Sequence, residues 1–301
     1  TGGEPLVRRG LRFHWRTHLG VAGGAAVGTA VLVGALAVGD SVRHSLRVTA
    51  LRRLGGTRLA LESPDRTFRA ALADTLTGEV TRVAPVLRLD GIASRTGGSE
   101  RAFGVRVHGV DDRFGALAGS AAVPAAGSRD AVVLNEALAR RLAAKPGDGV
   151  LLRVERPGLL PRDAPLSGDT GASEAIRLTV TAVAPDDAGG RFSLRAEQAS
   201  PYNAFVPLAL LQDRVGLPGR ANLLLAGGTG PDPISLADAL RARWAPADAG
   251  LELRDLAGDA LELRTSRVFL EPPVAEAALS DPGARGILTY LVNELRVGGR
   301  A

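Results

Sequence analysis

The sequence predicts an α+β protein in which one N-terminal transmembrane helix and a helical stalk lead into a mixed-sheet extracytoplasmic domain. Three observations predict this class. A run of 21 residues without a charged side chain extends from Leu19 to Gly39. An amphipathic helical pattern then continues to Gly55 and Gly56. Beyond these glycines, strand-like and helix-like segments follow one another, and no second uncharged run is long enough to span a bilayer.

The composition favours a large folded domain and excludes several functions. Hydrophobic residues make up 45% of the 301 residues, which is enough for a sizeable core. The basic residues are interleaved with acidic ones, whereas nucleic-acid binders concentrate them in a stripe, so we expect no nucleic-acid partner. The chain has no cysteine, which excludes disulfides, thiolate chemistry and cysteine-based zinc sites.

The uncharged run has the length of a membrane span. As a helix it measures about 31 Å, close to the thickness of the hydrocarbon core of a bilayer. A glycine-rich phosphate loop is excluded because the run lacks the GxxxxGK[ST] pattern, and Lys145, the one lysine, does not supply it elsewhere. The sequence therefore predicts no nucleotide site and no cofactor.

A cleaved signal peptide is the competing interpretation of this run. Four arginines between residues 8 and 16 form a basic leader, and Ala35-Leu36-Ala37 has the small-x-small form of a cleavage site. Against this interpretation, the run is longer than the ~7–15 apolar residues of a signal peptide.

Three glycines, Gly20, Gly24 and Gly28, recur at four-residue spacing within the run. On a helix they share one face, and the missing side chains allow a second helix to approach closely. A peptide that is removed has no use for such a face. The spacing therefore favours a retained membrane helix that packs through these glycines, while cleavage stays open as the alternative.

A stalk is predicted directly after the run, because apolar residues recur there every four positions with arginines between them. The members of this apolar face are Val42, Leu46, Ala50 and Leu54. Gly55-Gly56 is a typical helix end. The membrane helix either continues into the stalk for about 20 Å or breaks at Asp40, and the arginines on both sides of the membrane run leave its orientation open.

The body of the chain alternates between strands and short helices. Asn135 is predicted to cap a helix whose buried face carries Leu138 and Leu142, and Ser235 with Asp238 is predicted to open another that runs to about Trp244. Residues 157–174 form a Pro-, Gly- and Ser-rich excursion. Strands are predicted at 57–63, 79–89, 101–110, at both ends of 131–158, at 175–185, at the start of 202–219, and at 221–228, 251–257 and 261–270; a further helix is predicted at 67–76.

Few side chains could act in catalysis or bind a metal, and no catalytic, cofactor-binding or metal-binding residue is predicted. His14 and His18 have a metal-compatible spacing but no third ligand nearby, which favours two interfacial side chains. His108 precedes Asp111 and Asp112, yet no GxSxG nucleophile motif accompanies them. The paired acids at 111–112 and 186–187 are typical of solvated turns.

Several stretches together resemble one family. The basic leader and VGDSVRHSLR, VVLNEALARRL followed by GD, HGVDDRF, NAFVPLALLQDRVGLPGRANLLLA and SRVFLEPPV are similar to segments of MacB-like (FtsX-like) ABC transporter permeases. The resemblance extends from about residue 8 to the end of the chain.

This resemblance implies a topology and partners. Residues 1–18 would be a cytoplasmic leader, 19–39 the transmembrane helix, 40–56 the stalk, and 57–301 a MacB-like periplasmic core domain of two subdomains, with later membrane helices outside this chain. The implied location is the bacterial inner membrane, with the large domain periplasmic or extracellular. Implied partners are the membrane, a cytoplasmic ABC ATPase subunit, a second permease in a homo- or heterodimer, and a periplasmic protein.

The implied function is mechanical, not enzymatic. The domain of such a permease transmits ATP-driven conformational change or engages a substrate or partner outside the membrane. Two alternatives remain: a secreted binding protein released by signal cleavage, and an extracytoplasmic hydrolase.

Overall fold

A single long helix dominates the N-terminal part of the structure, a computed structural model. The helix α1 (Glu4–Phe13) is separated by His14 from α2 (Trp15–Leu54), which has 40 residues and is about 60 Å long. The helix α2 passes Asp40 without interruption, so the break considered there does not occur. It ends at Gly55, whose positive φ of 57° suits glycine.

The structure describes most of the chain. The described residues are 4–63, 66–76, 82–119, 124, 128–155, 173–195, 197, 199–228, 233–257, 260–265 and 270–287. The predicted excursion at 157–174 lies outside them except for its last two residues, which begin a strand.

Within the described residues, α2 is the one helix long and apolar enough to cross a membrane. The criterion is length and composition alone. The predicted transmembrane segment at 19–39 lies entirely within α2.

The domain beyond α2 is built on one eight-stranded sheet with short helices. The strands are β1 (Thr57–Glu62), β2 (Phe68–Arg69), β3 (Arg82–Arg95), β4 (Arg101–Val110), β5 (Ala131–Asn135), β6 (Gly149–Glu155), β7 (Ser173–Ala184), β8 (Tyr202–Pro207), β9 (Arg220–Ala221), β10 (Leu223–Gly227), β11 (Leu251–Leu256) and β12 (Ala260–Thr265). The helices are α3 (Leu72–Thr75), α4 (Asp112–Ala118), α5 (Glu136–Leu142), α6 (Leu208–Val215), α7 (Pro233–Arg243) and α8 (Pro272–Leu279).

The first part of the domain is a three-stranded antiparallel layer in the order β1-β10-β3, where only the N-terminal half of β3 takes part. The helices α3 and α7 pack on it through a cluster that includes Phe68, Leu72, Leu224 and Leu236. These apolar side chains remove one face of the layer from water.

Two sequence predictions in this part are wrong in detail. The helix predicted at 67–76 is instead the short strand β2 followed by α3, because Phe68 pairs with Ala221 of β9 and is buried there. The helix α7 begins at Pro233 and not at Ser235, since proline fits the first turn of a helix and needs no donor there.

The second part of the domain is a closed six-stranded barrel. The C-terminal half of β3 continues the order β3-β4-β8-β5-β7-β6, and β6 pairs back with β3 between Gly91 and Arg95. Alternate residues of all six strands face one buried cluster inside the barrel, and α5 and α6 contribute leucines to it. The predicted cap is confirmed, because the Leu138 amide donates to Asn135 Oδ1 at 3.1 Å.

The strand β3 therefore joins the two parts of the domain. A register shift lies between Gly91 and Ala93, where the neighbour of β3 has changed from β10 to β6. A side chain at Gly91 would overlap the carbonyl oxygen of Arg153 on β6, so glycine permits the close approach that closes the barrel.

Candidate coupling junction between the long helix and the domain

One arginine at the end of α2 enters the domain. Arg53 is 5% exposed and is the only buried residue of α2, whereas the adjacent Arg52 is exposed. Its Nη1 donates to the carbonyl oxygen of Glu197 at 2.5 Å. Burial, together with the nearby Arg191, lowers the pKa of Arg53, but an arginine stays protonated at physiological pH.

The Glu197 side chain continues the connection into the barrel. Its carboxylate forms an ion pair with Arg106 on β4, and the Arg106 Nη1 donates to Ser193 Oγ at 3.0 Å. Arg53 and Arg106 thus bind the backbone and the side chain of the same glutamate. The helix end is thereby tied to a strand of the closed barrel through one residue.

A backbone seam lies beside the arginine contact. The Gly56 amide donates to the carbonyl oxygen of Leu117 in α4 at 2.6 Å. A side chain at Gly55 would come within 2.8 Å of the Ala118 carbonyl oxygen, and one at Gly227 would overlap the Gly56 carbonyl oxygen. The glycines that end the helix are therefore also the residues that let it sit against α4 and β10.

A buried histidine lies beneath this junction. His108 on β4 is 1% exposed; its ring stacks on Phe205 at 5.3 Å and meets Phe192 edge-on at 5.8 Å. The Asn203 amide nitrogen donates to the carbonyl oxygens of Gly190 and Phe192, so its Oδ1 accepts from His108 Nε2 at 3.3 Å. This assignment leaves Nδ1 as the unprotonated ring nitrogen.

The environment keeps His108 neutral. Burial, reinforced by the charge of Arg88, lowers its pKa from 6.5 to about 3, although the Asn203 hydrogen bond acts in the opposite direction. A cavity of about 40 Å³, lined by His108, Arg106 and Ser193 among others, lies next to the ring. The Nδ1 atom has no hydrogen-bond partner among the described side chains and backbone groups.

The structure separates His108 from the acids beside it in sequence. Asp111 caps α4 by accepting from the Arg113 amide at 3.1 Å, and Asp112 lies in the first turn of that helix. Asp186 forms an ion pair with Arg191 at 3.4 Å. Among the described residues no group of three or more histidine, aspartate or glutamate side chains is placed to hold a metal.

The predicted packing residues of α2 lie along an open surface. An added side chain at Gly20, Gly24 or Gly28 would meet nothing within 4 Å. In the predicted stalk Val42 is 51% and Leu46 is 42% exposed, while Ala50 and Leu54 are half-buried near the domain. Within the described chain, the part of this face that Val42 and Leu46 form is therefore open.

In an ideal helix Arg53 lies on the same side of α2 as the glycines. Val42 lies about five full helical turns beyond Gly24, and Arg53 about eight, so all three point in nearly the same direction. The sequence spacing of these residues predicts their shared direction, but only the burial of Arg53 shows which side of the helix end contacts the domain.

Comparisons with known proteins give one family match that covers most of the chain. The family model of the MacB-like periplasmic core domain matches residues 20–243. No curated protein sequence matches the chain significantly.

Three solved structures are similar to the chain. The periplasmic region of MacB from Actinobacillus actinomycetemcomitans is 12% identical, with 78% of this chain and 97% of that one covered and a TM-score of 0.42. The extracellular domain of the noncanonic ABC-type transporter YknZ from Gram-positive bacteria is 13% identical, with 68% and 98% covered and a TM-score of 0.41. A domain of a permease protein from Porphyromonas gingivalis is 12% identical, with 70% and 86% covered and a TM-score of 0.37.

The buried histidine gives a prediction for the pH dependence of stability. Below pH 6.5 the unfolded chain binds a proton at position 108 that the folded chain rejects down to about pH 3, so acid destabilises the fold. His108→Phe keeps an aromatic ring but cannot bind the proton. Between pH 7.5 and pH 5, the variant should lose about 2 kcal/mol less of its unfolding free energy than the unsubstituted chain.

Urea unfolding in detergent micelles, followed by tryptophan fluorescence, measures this difference. His44→Phe, at an exposed histidine of α2, is the matched control and should retain the pH dependence of the unsubstituted chain. Equal pH dependence of all three proteins would show that His108 is protonated in the folded state or that its proton does not affect folding.

Proposed function

The chain belongs to the family of the MacB-like periplasmic core domain, and we propose that its domain transmits ATP-driven movement of an ABC transporter from the membrane to the extracytoplasmic side. A separate cytoplasmic ATPase subunit supplies the movement. The single observation that carries this proposal is the junction at Arg53. A helix that is to move a domain needs an attachment that resists both bending and rotation.

The junction has the contacts that such an attachment requires. Arg53 and the seam at Gly56 bind two different segments, Glu197 and Leu117, on the domain. Two separated contact points oppose rotation of the helix about its own axis, which one contact would allow. A hydrogen bond that involves a charged group contributes about 1.5–3 kcal/mol, which opposes separation of the arginine from the domain when the helix moves.

We propose that a further membrane helix of the transporter packs against Gly20, Gly24 and Gly28. The open surface at these glycines supports the assignment, because an added side chain there would meet nothing within 4 Å among the described residues. The exposed Val42 and Leu46 continue the same face beyond the membrane and would be covered by an extension of the partner helix.

Retention of the helix is part of the same proposal. Cleavage after Ala37 would cut α2 in the middle of a continuous helix and would leave Val38, Val42 and Leu46 as an exposed apolar terminus. The proposed location is the bacterial inner membrane, with the domain on the periplasmic or extracellular side. A second permease in a dimer and a periplasmic protein are the other proposed partners.

The coupling proposal predicts that Arg53 is required for transmission and not for ATP hydrolysis. Spin labels at Leu51→Cys on α2 and Phe103→Cys on β4 report the distance between the helix end and the barrel, since both positions are exposed and the chain has no other cysteine. In the reconstituted transporter this distance should be single and unchanged by ATP. Arg53→Ala should broaden it, whereas Arg52→Ala, at the adjacent exposed arginine, should leave it sharp.

Transmission itself is measured between Phe103 labels on the two permeases of the assembled transporter. ATP should shift this distance in the unsubstituted protein and in Arg52→Ala, while Arg53→Ala should lose most of the shift and still hydrolyse ATP. A helix-to-barrel distance that changes with ATP in the unsubstituted protein would contradict the proposal, because the helix would then move independently of the domain.

The packing proposal predicts that a larger side chain destabilises the assembled permease on the glycine side of α2 and is tolerated on the other sides. Gly24→Leu should destabilise the assembled permease by about 1–3 kcal/mol, because a side chain is forced into a close helix contact. Gly23→Leu makes the same change at the same depth but points about 100° away, so it should be tolerated. Thermal unfolding of the purified transporter compares the two variants, and equal melting temperatures would argue against the glycine face.

A further inference from the structure

A hairpin beyond the matched family region stands apart from the rest of the domain. The strands β11 and β12 follow residue 243, where the family match ends, and among the described residues they pair only with each other. The apolar side chains of Leu253 and Leu261 are 57% and 68% exposed. An isolated two-stranded hairpin of this kind is marginally stable in water and offers its free edges to other strands.

The two strands carry the same four residues, LELR, at 251–254 and 261–264. Their antiparallel register places Leu253 opposite Leu263, which gives the hairpin one face lined with leucines. On the other face Glu252 lies opposite Arg264 and forms an ion pair at 2.8 Å. Each strand thus alternates glutamate and arginine on one side with leucine on the other.

This pattern is self-complementary. If two β11 strands pair antiparallel about Leu253, that leucine meets its own copy, and Glu252 of each chain lies opposite Arg254 of the other. No like charges face each other in this register. A strand from an unrelated protein would have to supply the same alternation in reverse, whereas a second copy of this chain supplies it by symmetry.

We propose that β11 is a docking edge for a second copy of this chain, so that two hairpins form one four-stranded sheet. The strand β11 is favoured over β12 because Glu252, Leu253 and Arg254 are all exposed, whereas Glu262 and Leu263 on β12 are half-buried. The joint sheet places leucines of both copies side by side on one face. The proposal is independent of the helix contact at the glycines, which concerns a different surface.

Disulfide formation in the full chain tests the register. Residues directly opposite in an antiparallel pair have Cα atoms about 4.5–5.5 Å apart, within the range of a disulfide. The chain has no cysteine, so Leu253→Cys can join only residue 253 to its own copy. Mild oxidation in detergent should convert this variant to covalent dimer, whereas Leu261→Cys, exposed on the outer strand, should stay largely monomeric.

Charge exchange provides the second test. Glu252→Arg with Arg264→Glu keeps the ion pair within the hairpin but puts an arginine opposite Arg254 of the other copy, so the Leu253→Cys disulfide should be lost. Adding Arg254→Glu and Glu262→Arg restores opposite charges everywhere and should restore the disulfide.

Three results would overturn the proposal: no disulfide at position 253, equal disulfide yields at positions 253 and 261, or a disulfide yield at position 253 that the charge exchange does not change. Light scattering on the same samples distinguishes this failure from a failure of the helix proposal. A chain that is dimeric in solution without a disulfide at 253 associates through another surface, and that result leaves the glycine face untouched.

Discussion

The burial of one charged side chain at the end of a 40-residue helix is the constraint on which the rest of the arrangement depends. The Arg53 guanidinium donates to the Glu197 carbonyl oxygen where it leaves water, and the Glu197 carboxylate is in turn held by Arg106 on the barrel. This contact and the hydrogen bond from the Gly56 amide to the Leu117 carbonyl oxygen together attach the helix end to the domain.

The domain around the junction is built to hold these groups still. Closure of the barrel through β3 and β6 leaves β4 with a paired strand on both sides, so Arg106 and His108 project from a rigid element. His108 in turn fixes Asn203, whose amide binds the segment that leads from Gly190 through Phe192 towards Glu197. A neutral histidine is suited to this place because a cation would add to the charges of Arg88 and Arg106.

Local features of the fold could be predicted from the sequence, and features that depend on distant residues could not. The uncharged run, the helix end at Gly55 and the cap at Asn135 each depend on neighbours within a few positions, and the structure contains them. Closure of the barrel brings Gly91 next to Arg153, and the strand at Phe68 forms because Ala221 lies beside it; neither pairing leaves a local pattern.

The junction shows the same limit. Arg53 lies on the apolar face of the stalk and Arg52 points about 100° away from it, but no local pattern indicates that Glu197 receives the Arg53 guanidinium. The glycine spacing in the membrane helix is a local pattern and remains a prediction, because the surface it forms is open in this chain. The family resemblance, by contrast, rested on the order of many loose segments, and the family match over residues 20–243 confirms it.

The proposed function requires that one continuous helix is retained in the membrane and carries the domain. Mass spectrometry of the mature protein from the membrane fraction of the native cell tests this requirement. We expect an N-terminus upstream of Gly20 and a domain that stays with the membrane after alkaline carbonate washing. A mature protein that begins at Val38 and is released by the wash would refute the proposal, because the junction would then join the domain to a short, unanchored stub.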